Sequence, residues 1–344
     1  MERSDPTLAQ LGWNAFFREQ VSAEQSSHCQ PVRVMSVHRG RVTVSGEGIQ
    51  DSISSSFAAQ AGAEDRPTVG DWLLIDRNTR SIERILDRVS LFKRPAPGDD
   101  RRVQLIAANV DTLFIVTSCD QDFNVARLER YLVLAREAGV SPIVVLTKAD
   151  LAPSPEALAD VARALQPGLR VLMVDGRDLT SASTLADYCG FGQTVALVGS
   201  SGVGKSTLVN TLKGSDSIAT QAVREDDSKG RHTTTVREMH RVAGLPDEGG
   251  WLVDTPGMRE LQVSEAASGV AEVFDDIIAV TLECRFANCT HGGEPGCAIQ
   301  DAMAKGDLDP GRFERWRKLA EENAENSGVA ALRRSRTGKR PSKR

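Results

Sequence analysis

The pattern of apolar and polar positions changes character near residue 105. Before that point, residues 31–92 carry short alternating runs. Val32, Val34 and Val37 form the first, Arg41-Val42-Thr43-Val44 comes beyond Gly40, and Gly70-Asp71-Trp72-Leu73-Leu74-Ile75-Asp76 comes later. Short alternating runs punctuated by glycine and polar turns predict a small barrel or sandwich, and an SH3-like barrel would read the same. Upstream, residues 8–20 have the spacing of one amphipathic helix. Pro95 to Asp100 (PAPGDD) reads as a linker between this β-rich part and the next domain.

Beyond residue 105 the apolar runs become continuous and alternate with helical spacing. Val110 to Thr117, Pro142 to Leu146, Val171 to Val174, Thr194 to Val198 and Trp251 to Val253 predict buried strands. Residues 124–138, with Val125, Leu128, Leu132 and Ala135 on one face, predict a helix, as do 154–166 and Lys205 to Leu212. Strands alternating with helices imply a parallel sheet covered on both faces, with ligands bound at the carboxyl ends of its strands.

Composition narrows the setting. With 344 residues the chain has room for about two or three domains. A 40% hydrophobic and 26% charged composition is that of a globular protein, and no run of about eighteen apolar residues predicts a membrane span. The first thirty residues include Asp5, Arg18, Glu19 and Glu24 and lack the basic start and apolar core of a signal peptide, so a cytoplasmic location is expected. Charge is unevenly spread: residues 331–344 hold seven Lys/Arg and no acid, so a net charge of −5 leaves −12 on the rest. Such a tail either meets a polyanion or is a solvated end.

Three motifs sit at strand ends. Gly199-Ser200-Ser201-Gly202-Val203-Gly204-Lys205-Ser206 has the G-x-x-x-x-G-K-[ST] spacing between a strand and a helix, with Thr207 next in the helix. Its glycines let backbone N–H groups turn around phosphate oxygens, Lys205 is placed for the β- and γ-phosphates, and Ser206 for Mg²⁺. Thr147-Lys148-Ala149-Asp150 resembles an N-K-x-D segment. The Asp150 carboxylate can accept from guanine N1–H and N2–H₂, a donor pair that adenine lacks, and the Lys148 stem can pack on the base. Asp254-Thr255-Pro256-Gly257 offers an acid for Mg²⁺ through water and the Gly257 N–H for the γ-phosphate. Between loop and turn, Gly230-Arg231-His232-Thr233-Thr234-Thr235 supplies a threonine, Thr234, to complete the Mg²⁺ shell. Where many GTPases carry a water-orienting glutamine this chain has Met258, which cannot orient water. His232 is the nearest replacement, although a loop histidine is as readily a solvated one. A P-loop ATPase or kinase is disfavoured by Asp150 and by the lack of a second acidic base motif.

Of six cysteines, Cys119 and Cys189 sit in or near apolar segments and read as buried free thiols. Cys284, Cys289 and Cys297 crowd together with His291 in a Cys-x₄-Cys-x-His-x₅-Cys array, which favours one structural zinc ion over disulfides. Four protein ligands leave no position for a catalytic water, and Gly292, Gly293 and Gly296 provide the tight turns.

These motifs occur out of the usual order, base reader first and phosphate loop about fifty residues later. In that order, with Ile106-Ala107-Ala108-Asn109-Val110-Asp111 and the Cys284-Arg285-Phe286 to Glu294-Pro295-Gly296-Cys297 spacing, the chain resembles the RsgA (YjeQ) family of circularly permuted GTPases over residues 32–320. The resemblance implies a multidomain α/β protein: an N-terminal extension (1–30), an OB-fold β-barrel (31–97), a circularly permuted P-loop GTPase domain (98–265), a mainly helical zinc-binding domain (266–330) and a basic tail (331–344). It implies a monomer that binds GTP/GDP with Mg²⁺ and engages the 30S ribosomal subunit and its 16S rRNA late in maturation, with ribosome-stimulated hydrolysis. It also supports His232 as the catalytic histidine and Thr234 as the switch threonine. The alternative is a nucleotide-gated placeholder on rRNA with incidental hydrolysis. Two departures stand out. Thr147 replaces the common Asn, and Asp175-Gly176-Arg177 lacks the usual Ser-Ala or Ser-Ser pair, so guanine specificity rests more heavily on Asp150. The motif order leads the γ-phosphate turn toward the zinc cluster and the base-reading half toward the barrel.

Overall fold

The computed structural model describes residues 5–57, 62, 64–96, 99–213, 237–242, 249–254 and 266–326. The chain divides into two compact units, one of residues 1–124 with 138–261, the other of 125–137 with 262–344. Among the described residues no helix is long and apolar enough to cross a membrane.

The first unit opens with two short helices, α1 (Ala15–Arg18) and α2 (Ala23–His28). A single helix over 8–20 does not form. Gly12 sits at φ +90° against the Gly192 carbonyl, where a side chain would lie 2.5 Å from that oxygen, so the chain turns there instead. Five antiparallel strands come next: β1 (Cys29–His38), β2 (Arg41–Gly46), β3 (Ile49–Ser54), β4 (Trp72–Asp76) and β5 (Ile82–Ile85). β1 pairs with both β2 and β4, β3 with β2 and β5 with β4. Val32, Val34, Val42, Val44, Leu73 and Ile75 form their shared core, the apolar half of the alternation seen in the sequence.

The expected linker is a hairpin. β6 (Leu91–Ala96) pairs antiparallel with β7 (Asp99–Ala108), Pro95 standing opposite Val103 in a two-stranded sheet whose edges tolerate a missing N–H. Then come β8 (Thr112–Ser118), helix α3 (Val125–Glu137) in the second unit, β9 (Ser141–Thr147), α4 (Pro155–Arg163), β10 (Arg170–Met173), α5 (Leu179–Ala182), β11 (Thr194–Val198), α6 (Lys205–Lys213), β12 (Arg237–Arg241) and β13 (Trp251–Asp254). The strands β10-β9-β8-β11-β13 are parallel. Every residue of β8 is buried, as a strand covered on both faces requires.

The sheet is mixed rather than purely parallel. β12 runs antiparallel to β13 and, on its other edge, antiparallel to β1, with Ser36 opposite Glu238 and Val37 opposite Arg237. One eleven-stranded sheet therefore joins the β1–β5 array to the parallel strands. The motif order predicted a link from that array to the base-reading half. The pairing adds a second link, to the strand just beyond the Gly230–Thr235 segment.

The Ile106–Asp111 motif braces the amino ends of the parallel strands. Asp111 accepts from the Thr194 N–H at 2.7 Å, and buried Arg33 donates to the Asn109 carbonyl at 3.1 Å and to Thr194 Oγ1 at 2.8 Å. Burial pulls the Arg33 guanidinium down to about 10.

The second unit is helical: α3 with α7 (Ala267–Val273), α8 (Asp275–Thr281), α9 (Ala298–Lys305) and α10 (Pro310–Asn326). α7 approaches α3 closely because residue 269 is glycine, where a Cβ would stand 2.4 Å from the Val133 carbonyl oxygen. Fully buried Glu129 on α3 accepts from Arg312 at 3.2 Å and Arg315 at 2.6 Å on α10. Burial lifts its carboxyl above the usual range, and both arginines oppose that shift.

Candidate functional site

The phosphate-loop sequence forms the turn between β11 and α6. Gly199 passes so close to β8 that a Cβ would lie 2.2 Å from the Val116 carbonyl oxygen, which excludes any side chain there. Gly204, at φ +92°, occupies the left-handed region just before the helix. Lys205 is nearly buried, and its Nζ donates to the Ser200 carbonyl. The Ser200 hydroxyl donates to Asp122.

The base-reading segment lies at the carboxyl end of β9. β9 and β11 both flank β8, so parallel pairing carries their carboxyl ends to the same edge of the sheet. Thr147 is buried, and its hydroxyl donates to the Val203 carbonyl of the phosphate loop at 2.7 Å. Lys148 takes the left-handed conformation at φ +55°, an uncommon one for a residue with a side chain. Its Nζ pairs with Asp120 Oδ2 at 3.0 Å. Asp150 lies in a single 3₁₀ turn, its carboxylate 56% exposed and so accessible to a ligand. Arg177 Nη2 lies 3.5 Å from Asp150 Oδ2.

Asp120 and Asp122, on the segment after β8, were not singled out by sequence. Asp120 accepts from the Ser118 hydroxyl, the Asp122 N–H and Lys148, which together hold its carboxyl down at about 2. A D-x-D pair just past a buried strand was the signal available.

Asp254 ends β13, beside the phosphate-loop strand β11. Gly257, His232 and Thr234 lie outside the described residues, as do Met258 and the basic segment 331–344.

In the second unit the four metal-type side chains converge: the ligand atoms of Cys284, Cys289, His291 and Cys297 all lie within 4.8 Å of one another. His291 Nδ1 is 3.5 Å from Cys284 Sγ and 3.6 Å from Cys297 Sγ. Zn–S and Zn–N bonds of about 2.3 and 2.0 Å at a tetrahedral angle put sulfur and nitrogen about 3.5 Å apart, so the donor set fits zinc. His291 sits at φ +60°, its carbonyl held by Gln300 Nε2 at 2.6 Å and its ring against Phe313 and Trp316. Glu294 braces the loop by accepting from the Thr290 and Gly292 N–H groups at 2.7 and 2.8 Å. Hydrogen bonds, foremost from the Thr290 hydroxyl, hold its carboxyl down at about 2.

Known proteins share this fold. Two solved structures match with 23% identity: YjeQ from Thermotoga maritima, with a TM-score of 0.60 over 85% of this chain and 98% of that one, and YloQ, described as a circularly permuted GTPase, with a TM-score of 0.57 over 86% and 95%. At that identity they establish the fold. A family model described as RsgA GTPase matches residues 85–264. The small ribosomal subunit biogenesis GTPase RsgA of Mesorhizobium japonicum is 51% identical over 95% of this chain and 92% of its own length. The protein of the same name from Methanosarcina acetivorans is 38% identical over 93% and 86%. Identity of this order over nearly the whole length, together with the family-model match, assigns the family: the chain belongs to the RsgA GTPases.

Proposed function

We propose that this protein hydrolyses GTP to GDP and phosphate while bound to the 30S ribosomal subunit and its 16S rRNA, and that it serves the late maturation of that subunit. One observation carries the nucleotide half of this reading. The Thr147 hydroxyl joins the base-reading segment to the phosphate loop at the carboxyl edge of the sheet, where an α/β fold binds ligands. The names of the relatives carry the ribosomal half.

The roles come from the chemistry of each group. Backbone N–H groups of residues 199–207 cradle the phosphates, and Lys205 leaves the Ser200 carbonyl to reach the β- and γ-oxygens. Ser206, Thr234 and Asp254 would hold Mg²⁺. When bound, Mg²⁺ would supply charge neutralisation at the transferred phosphoryl group. Gly257 donates its N–H to the γ-phosphate. Asp150 accepts from guanine, and Lys148 packs on it. His232 orients the attacking water, a task that Met258 cannot perform.

In this reading residues 31–97 are an RNA-contacting OB-fold and 98–265 the permuted GTPase domain. Residues 266–330 form a module closed by zinc on Cys284, Cys289, His291 and Cys297, and 331–344 are a phosphate-contacting tail. The protein works as a cytoplasmic monomer. Phosphoryl transfer is mostly positioning and charge stabilisation, so an RNA partner that orders the His232 segment accelerates a slow intrinsic reaction. The test is GTP turnover with and without purified small subunits, against ATP. Weak turnover alone and strong stimulation by 30S particles are expected; a free protein already at the stimulated rate would overturn the reading.

A further inference from the structure

Asp150 alone is a poor discriminator. Its carboxylate is more than half exposed on a single 3₁₀ turn, and reading guanine requires both oxygens to face N1–H and N2–H₂ together. Arg177 reaches it, and Arg177 is itself clamped. Asp175 accepts from Arg177 Nε at 3.0 Å, from Nη2 at 3.1 Å and from the Arg177 backbone N–H at 3.0 Å. The loop beneath is tied down as well. The Gly176 carbonyl accepts from the Thr211 hydroxyl at 2.7 Å, and Asp175 N–H donates to Ser181 Oγ at 2.9 Å. A Cβ on Gly176 would crowd Leu208 at 3.2 Å. Thr211 and Leu208 belong to α6, the helix that begins at the phosphate-loop lysine.

We propose that Arg177 is a positioning residue that sets guanine specificity: clamped by Asp175, it holds the Asp150 carboxylate in the orientation that accepts both guanine donors. A guanidinium is a planar fork, so one edge can grip Asp175 while an outer N–H faces Asp150. Asp150 Oδ2 has a second lone-pair direction for the base. The cation between the two carboxylates also offsets their mutual repulsion.

The inference rests on reading Asp150 as the guanine acceptor, and the experiment separates the two. Equilibrium binding of GDP, IDP and ADP is measured for the full chain and for R177A, R177K, D175A and D150A. Hypoxanthine keeps N1–H and lacks the 2-amino group, so it reports the second hydrogen bond. R177A should weaken GDP roughly fivefold, the scale of a solvent-accessible ion pair, and compress the preference for GDP over IDP while ADP stays unmoved. R177K should recover part of the loss. D175A should mimic R177A, and the double variant should be no worse than R177A, since the two residues act as one device. Unchanged GDP affinity in R177A, or a parallel fall for all three nucleotides, overturns the proposal. If D150A keeps its guanine preference, the acceptor reading fails with it. If D150A loses that preference while R177A is silent, only the role of Arg177 fails.

Discussion

The Thr147 hydroxyl donates to the Val203 carbonyl at 2.7 Å, from the end of β9 to the middle of the phosphate loop. Thr147 stands at the asparagine position of the N-K-x-D pattern that Thr147-Lys148-Ala149-Asp150 resembles. A buried threonine hydroxyl can support the base-reading segment in its place. It satisfies a loop carbonyl and ties the Thr147–Asp150 segment to the glycine-rich loop, whatever their order along the chain.

Thr147→Val keeps the shape and removes the donor, leaving the Val203 carbonyl without this partner. An unsatisfied buried acceptor costs about 1–3 kcal/mol, so GDP and pyrophosphate affinity should both fall, by roughly tenfold. T147S should bind normally. Calorimetric titration of both ligands checks this, and wild-type affinities in T147V would show that the bond does not set the loop.

The thiols test the zinc reading of the Cys–His array. Burial pushes the Cys29 and Cys189 thiols up to about 12, and Cys119 is also buried and raised, so none supplies reactive thiolate at about pH 8. With zinc on Cys284, Cys289 and Cys297, the native protein should therefore react slowly with a disulfide reagent. A strong chelator should release one equivalent of zinc and expose the three thiols of Cys284, Cys289 and Cys297. Rapid reaction of three thiols before chelation would count against a closed zinc site.

Asp120 gives a pH dependence with a defined sign. Its folded carboxyl, held at about 2 chiefly by the Ser118 hydroxyl, lies below the ordinary value of 3.8. A depressed carboxylate adds stability above its unfolded value, and that stability is lost as pH falls through the folded one. Asp120→Asn should therefore be less stable than wild type at about pH 6, with the gap closing between about pH 4 and 2. Urea unfolding across that range is the measurement; a gap constant with pH would assign the effect to packing.

Much of the site was legible because its signals are local. A glycine-rich turn between a strand and a helix, a carboxylate just past a strand end, and cysteines at tight spacing each carry their chemistry within a few residues. The strands 194–198 and 251–253 were legible for a similar reason: a strand buried on both faces is apolar throughout. The helix expected over 8–20 failed because a tertiary approach between Gly12 and Gly192 decides the backbone there.

By itself, the sequence determined the glycine-rich turn between a strand and a helix, the Cys–His array, the alternation of strands and helices and the family. Tertiary structure alone decided that Pro95 lies in a hairpin, that β12 pairs with β1, and that the helix after β8 belongs with the C-terminal helices. It also decided that Asp120, Asp122 and Arg177 stand beside Lys148, Ser200 and Asp150. The physical reason is common to all of these. Apolar periodicity says which face of an element is buried, but the partner across a strand edge, and the charge beside a carboxylate, are chosen by residues far away in the chain.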